Sequence, residues 1–271
     1  MSNETIVGQI LDKLAKGYQK LNAEQQAYAI KEINRVRLEI SDMLAEFSDG
    51  DGIIKRQRLN RLLRELEAIE RSVYKNGMDA MEKMIRESSD YATKGSLDAL
   101  ESVIGEAAVI GVSFDKINRN VFRYVINRKG DDGLILSDRV WQFAGDQREQ
   151  ISKVMRSGLI RGESTSKMIA DIRKVYEAET WKIRRLVVTE GNTAYRTATA
   201  YSGQQSPVVK ALRIFRGAAN RPEHRCTQME LTDAYGMGQG VYPLDDPEVF
   251  NPHINCTSHT NYVLTRKGES L

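Results

Sequence analysis

Every histidine and every cysteine of the 271-residue chain falls between His224 and His259. The segment reads Arg221-Pro222-Glu223-His224-Arg225-Cys226, then twenty-six residues, then His253-Ile254-Asn255-Cys256-Thr257-Ser258-His259. Imidazole nitrogen and thiolate sulfur are the donors zinc prefers, four in a tetrahedron, and two short pairs joined by a loop can supply them. His224, Cys226, His253 and Cys256 form one such set, with His259 as a substitute ligand. A filled Cys2His2 site is closed and structural, with no position left for a substrate. The alternative reading is that the cysteines are small buried residues and the histidines cap loops.

Other residues capable of chemistry are better read as structural. Glu190 stands mid-helix beside Thr189, with Arg184 and Arg185 about one turn away, and neither a nucleophile nor an open pocket accompanies it. An ion pair locking its helix against the C-terminal unit is the expected role of Glu190 and Arg185, and Arg221 with Glu223 is expected to stabilise a turn. The run Gly236-Met237-Gly238-Gln239-Gly240 lacks the strand-then-helix frame of a dinucleotide site. A phosphate-cradling glycine loop, a Ser-His-Asp arrangement and a convincing carboxylate pair are all missing from the sequence.

Net charge is +3 but unevenly spread: residues 1–111 carry 16 Lys and Arg against 19 Asp and Glu, residues 112–216 carry 20 against 11, and residues 217–271 carry 4 against 7. A basic middle suits double-stranded DNA or an acidic partner, with Lys182, Arg184, Arg185 and Arg196 as candidate DNA contacts. The other reading of the same charges is a solvated helical face.

The elements that position these residues are mostly helical. Ile6, Ile10, Leu14 and Tyr18 recur every four residues after a possible Ser2 or Asn3 cap, and Tyr28, Ile33, Val36, Ile40, Leu44 and Phe47 form a second stripe that stops at Ser48-Asp49-Gly50-Asp51-Gly52. A third stripe restarts at Ile53 and runs through Leu59 and Leu66 to Val73. A softer helical region from Met78 to Ile110 is interrupted by glycines, each costing about 1 kcal/mol relative to alanine inside a helix. After the break at Lys129-Gly130-Asp131-Asp132-Gly133, a helix from Leu136 with Ser137 as possible cap ends at Gly162-Glu163-Ser164, and Ser164 caps the next. The period then changes, so that Val209–Phe215 and Thr260–Thr265 read as short strands. The expected fold is mainly α: an N-terminal helical bundle or arm over 1–128, and a domain over 134–271 comprising helices across 136–203 and a small, loop-rich α+β unit over 208–266. So little apolar bulk in that last unit calls for a metal, or docking on helices, to hold it together. No apolar run reaches the roughly eighteen residues of a membrane span. The start, Met1-Ser2-Asn3-Glu4-Thr5, lacks the pattern of a secretory signal, so folding in a reducing cytoplasm is expected.

From Leu136 onward the sequence resembles the head morphogenesis, or minor head protein, family of tailed bacteriophages, the group of Mu F-like virion proteins. The features are the Ser-x-Arg-x-Trp opening with the Gly158–Ser164 turn, the Arg185-Leu186-Val187-Val188-Thr189-Glu190 helix followed by Ala194-Tyr195 and Ala198, and the ending Asn251-Pro252-His253-Ile254-Asn255-Cys256. Where relatives often have Cys-x-x-Cys and a final Cys-Arg-Cys, this chain has His224-Arg225-Cys226 and Cys256-Thr257-Ser258-His259. The resemblance implies a minor capsid protein of the virion, made in the host bacterial cytoplasm and acting in head assembly, DNA packaging or delivery. Its implied partners are the portal protein, capsid or scaffold proteins and packaged DNA. An alternative from a different class is a zinc-dependent nuclease or toxin-like hydrolase using His224, His253 or His259 with Glu223.

Overall fold

The computed structural model describes residues 1–218 and 221–265. The end of the predicted 208–266 unit, at residue 266, lies outside the described residues. The chain is mainly helical, 71% helix, with a small three-stranded antiparallel sheet near its C-terminal end. The helices are α1 (Asn3–Asn34), α2 (Val36–Phe47), α3 (Leu59–Ile104), α4 (Phe114–Asn127), α5 (Leu136–Arg161) and α6 (Thr165–Gln205). They are followed by β1 (Val209–Phe215), α7 (Arg225–Leu231), β2 (Val241–Tyr242), α8 (Pro247–Phe250) and β3 (His259–Leu264).

Several helix ends follow directly from side-chain chemistry. The Ser2 hydroxyl accepts the Thr5 N–H at 3.2 Å and the Ser164 hydroxyl accepts the Lys167 N–H at 3.3 Å, each satisfying a donor left over in a first helical turn. Gly162 ends α5 in the left-handed conformation, with φ of 69°. Ser137 is not a cap: α5 already begins at Leu136, and the Asp138 carboxylate accepts the Ile135 N–H at 3.4 Å. Two of the glycines of the predicted soft region follow expectation, since α3 ends at Ile104 and Gly105 and Gly111 take positive φ, but α3 runs unbroken through Gly77 and Gly95. A Cβ on Gly77 would sit 2.8 Å from Val140 Cγ1, and one on Gly95 would clash with the end of Leu14. Close approach of neighbouring side chains, rather than a break, explains both residues.

The chain divides into two compact units, each assembled from separate stretches of chain, with one of the cuts between Gly133 and Leu134. One gathers Met1–Gln25, Glu82–Gly133 and the described residues from Arg185 onward; the other gathers Gln26–Met81 and Leu134–Arg184. Much of the expected N-terminal arm therefore belongs with the sheet.

In the sheet-bearing unit the strand order is β2-β1-β3. Leu212 of β1 stands opposite Tyr242 on one side and Tyr262 on the other. Val209, Leu212 and Ile214 of β1 and Tyr262 and Leu264 of β3 share one core with Val7, Leu11, Ala99, Leu100 and Ala200 of the helices. Docking on helices thus supplies the apolar bulk that the strands lack. The buried stripe of α1 here is Val7, Leu11, Ala15 and Tyr18; the predicted Ile6, Ile10 and Leu14 flank it at intermediate exposure. The other unit is an all-helical core: Ile33, Val36, Ile40, Leu44, Leu62, Leu66 and Ile69 are buried, as are Val140, Ile151, Met155, Met168 and Ile172. Trp141 and Ile160 fall on the exposed side of α5, where the Trp141 ring meets Tyr74 edge-on at 5.0 Å.

Candidate metal centre

Cys226 lies in the first turn of α7, and Cys256 lies in the link between α8 and β3; both are fully buried. The link is a tight turn in which the Cys256 N–H donates to the His253 carbonyl at 3.2 Å. The turn places Asn255 at a φ of 60°, a region that asparagine tolerates better than most side chains. The Asn255 N–H is then satisfied by the Thr189 hydroxyl of α6 at 2.9 Å, which ties the turn to the helix.

This turn brings His253 and Cys256 to the same side as Cys226. One donor atom from each of the three lies within 4.8 Å of the others, and the two sulfurs are 3.4 Å apart. His253 is oriented for ligation: its Nδ1 contacts the Ile254 carbonyl at 2.9 Å. A carbonyl can only accept, so Nδ1 carries the hydrogen and the neutral ring leaves its lone pair on Nε2. Nε2 is buried and has no hydrogen-bond partner among the described residues. A metal-binding histidine is commonly held in this way, by a carbonyl at its other nitrogen.

Arg196 of α6 completes the cluster from below. Its side chain is fully buried, and Nη1 donates to Cys226 Sγ at 3.2 Å and to Ser258 Oγ at 3.0 Å. The Ser258 hydroxyl, 2.8 Å from Cys256 Sγ, is left to donate its hydrogen there. The hydrogen bond shared with Cys226 holds the Cys256 thiol well below its ordinary range, with further help from Arg196 and Ser258. The same shared bond, with burial, pushes Cys226 up. Arg196 is thus placed to stabilise negative charge on either sulfur.

The donor set suits a metal ion. Two sulfurs and an imidazole nitrogen are the borderline-soft donors that zinc takes, and sulfurs bound at 2.3 Å in a tetrahedron sit about 3.8 Å apart. The observed 3.4 Å needs only a slight parting of the two side chains. A Cys-His-Cys cluster able to hold a metal ion is thus present, and it does not include the other two histidines. The His224 ring lies 4.4 Å from that of His253, but its Nδ1 accepts the Arg221 N–H at 3.1 Å. His259 points elsewhere, with Nε2 at 3.0 Å from Asp12 Oδ1.

The remaining expected site residues separate in the same way. Glu190 is fully buried and ion-paired, but its partner is Arg128 rather than Arg184 or Arg185: Arg128 Nη2 reaches the two carboxylate oxygens at 3.1 and 3.0 Å, and Nη1 reaches Asn251 Oδ1 at 2.9 Å. Arg184 and Arg185 are exposed. Lys182 is engaged by Asp146 at 3.1 Å and by Glu179 at 2.5 Å. Arg196 is a correction to the predicted DNA contacts, because a fully buried guanidinium spent on sulfur and hydroxyl cannot reach a phosphate. Its burial has a trace in the sequence, where it is the only charged residue between Glu190 and Lys210, in a run rich in alanine and threonine. Arg221 is exposed, with Nη1 3.9 Å from Glu223 Oε1 in the predicted turn. Arg128 carried no signal beyond its type, and nothing in the sequence marked Asn251 or Ser258 as the partner of a buried arginine.

Gly217, just after β1, supports the cysteine loop from behind. A Cβ there would lie 2.6 Å from the Thr257 carbonyl carbon and 2.7 Å from its oxygen, backbone atoms that cannot swing away. Gly217→Ala is expected to lower stability by about 2 kcal/mol through overpacking and to displace the loop between Cys256 and Ser258. A urea unfolding midpoint equal to that of the parent chain would count against this packing argument.

Comparison of the chain with family models, with characterised proteins and with solved structures finds no match.

Proposed function

We propose that the chain is a minor structural protein of a tailed-phage head, associated with the portal and with packaged DNA, and that it performs no catalysis itself. One observation carries this reading. The two segments with the family-like pattern, Thr189-Glu190 on α6 and Asn251–Cys256, are spent on each other: Thr189 accepts the Asn255 N–H, and Arg128 joins Glu190 to Asn251. Residues that in an enzyme would face a substrate are here committed to holding a fold together. Within this reading the Cys226–His253–Cys256 centre takes structural zinc, which would cross-link α7 to the turn before β3, and His224, whose ring lies 4.4 Å from that of His253, is offered as the fourth ligand. The exposed basic residues of the middle segment, Arg184 and Arg185 among them, are the surface offered to DNA.

The test is biochemical. Particles purified from infected cells should contain the chain at low copy number, and it should copurify with the portal protein before DNA is packaged. Absence from particles overturns the assignment. So does divalent-metal-dependent DNA cutting by the purified chain that His253→Ala abolishes, which would establish the nuclease instead.

A further inference from the structure

We infer that Cys226 and Cys256 are a modification site: the two sulfurs that hold a metal in one state close on each other as a disulfide in another. The proposal deepens the metal-centre reading, but the bond itself requires only the cysteines and an oxidant.

The geometry is specific. The sulfurs are 3.4 Å apart, in direct contact, and come from separate elements, the first turn of α7 and the turn before β3. A disulfide bond is about 2.05 Å long. Reaching that length from contact is a movement of the size available to two cysteine side chains. Both are fully buried, which screens them from the thiol of a second chain. Ser258 Oγ, 2.8 Å from Cys256 Sγ, and Arg196 Nη1, 3.2 Å from Cys226 Sγ, are polar atoms already aimed at the reacting sulfurs.

A small peroxide is an adequate oxidant, and the balance is simple. One sulfur attacks hydrogen peroxide, breaking its O–O bond and forming a sulfenic acid, and the departing hydroxide leaves as water after taking the thiol proton. The second sulfur then attacks the sulfenic sulfur, the S–S bond forms, and the sulfenic oxygen leaves with the second thiol proton as another water. Two thiols lose two electrons and two protons, and the peroxide becomes two waters. Metal and disulfide exclude each other, because sulfurs bonded together have no thiolate charge to offer a cation. The closed bond would tether a segment containing α7, β2 and α8 that otherwise depends on packing. A chain passing from a thiol-reducing cell interior to the outside would move from the first form towards the second.

The experiment uses the full-length chain, stripped with chelator, treated with hydrogen peroxide and read by intact mass and by peptide mapping without reductant. The expected result is the loss of two hydrogens, one cross-linked peptide pair containing Cys226 and Cys256, reversal by dithiothreitol, and a rise in melting temperature of about 5 °C. Prior loading with zinc should slow the reaction at least tenfold. Unreacted thiols, added oxygen on either cysteine, or a bond between two chains each overturns the inference. If the disulfide forms but zinc neither binds nor protects, the zinc reading falls while the redox pair stands.

Discussion

Glu190→Gln should destabilise the chain by about 3–5 kcal/mol, the range for breaking a buried ion pair from one side. Glu190 is fully buried, and the side chain of Arg128 retains 5% exposure, so the guanidinium left behind has no route to bulk water. Glutamine preserves the shape and one acceptor oxygen, which isolates the loss of charge. Arg128→Met should cost less, because a buried carboxylic acid can keep its proton whereas a guanidinium cannot shed one. The double variant should recover much of the loss, since a pair replaced on both sides leaves no orphaned charge. Urea unfolding of the three variants forms a double-mutant cycle. Additive losses would mean that the two groups do not act as a unit. Because Arg128 also holds Asn251 Oδ1, the loss should spread to the His253–Cys256 turn, visible as faster hydrogen exchange there.

Zinc should be the second large lever. At a free concentration a hundred times its dissociation constant, a ligand that binds only the folded chain adds about 2.7 kcal/mol of stability. A zinc-loaded sample should therefore melt several degrees higher than one stripped with chelator, with one equivalent of metal per chain. Cys256→Ser should abolish both the metal and the difference, because it removes a ligand while keeping the volume. His224→Ala separates ligand from neighbour: if the ring that now accepts the Arg221 N–H turns to the metal, the variant binds more weakly, and a cobalt-substituted sample changes its visible spectrum. Equal melting of loaded and stripped protein would show that Arg196 and Ser258 satisfy the cysteines without a metal.

Local patterns were the most legible part of the fold. The stripe from Ile33 to Phe47, the stop at Gly162, the cap at Ser164 and the strands beginning at Val209 and near Thr260 can each be read from neighbours within a few residues, and the structure has them. What could not be read were relations between distant residues. The continuity of α3 through Gly77 and Gly95 depends on Val140 and Leu14, which no local window contains. Strand β2 is two residues long and exists because β1 presents a free edge to it. In the metal centre, the types and spacing brought out Cys226, His253 and Cys256. They could not show that His224 and His259 are occupied elsewhere, nor that Arg196 faces inward, because burial of a charge is decided by the partner that neutralises it.

The sheet-bearing unit also dictates an order of events. The Leu264 N–H of β3 donates to Glu4 Oε2 at 3.3 Å, and Asn261 Nδ2 reaches the Gly8 carbonyl and Asp12. The start of α1 thus finishes its native contacts only after β3 has left the ribosome, and until then the core around Val7 and Leu11 lacks Tyr262 and Leu264. A chain halted before β3 should therefore be degraded rather than accumulate as a folded fragment.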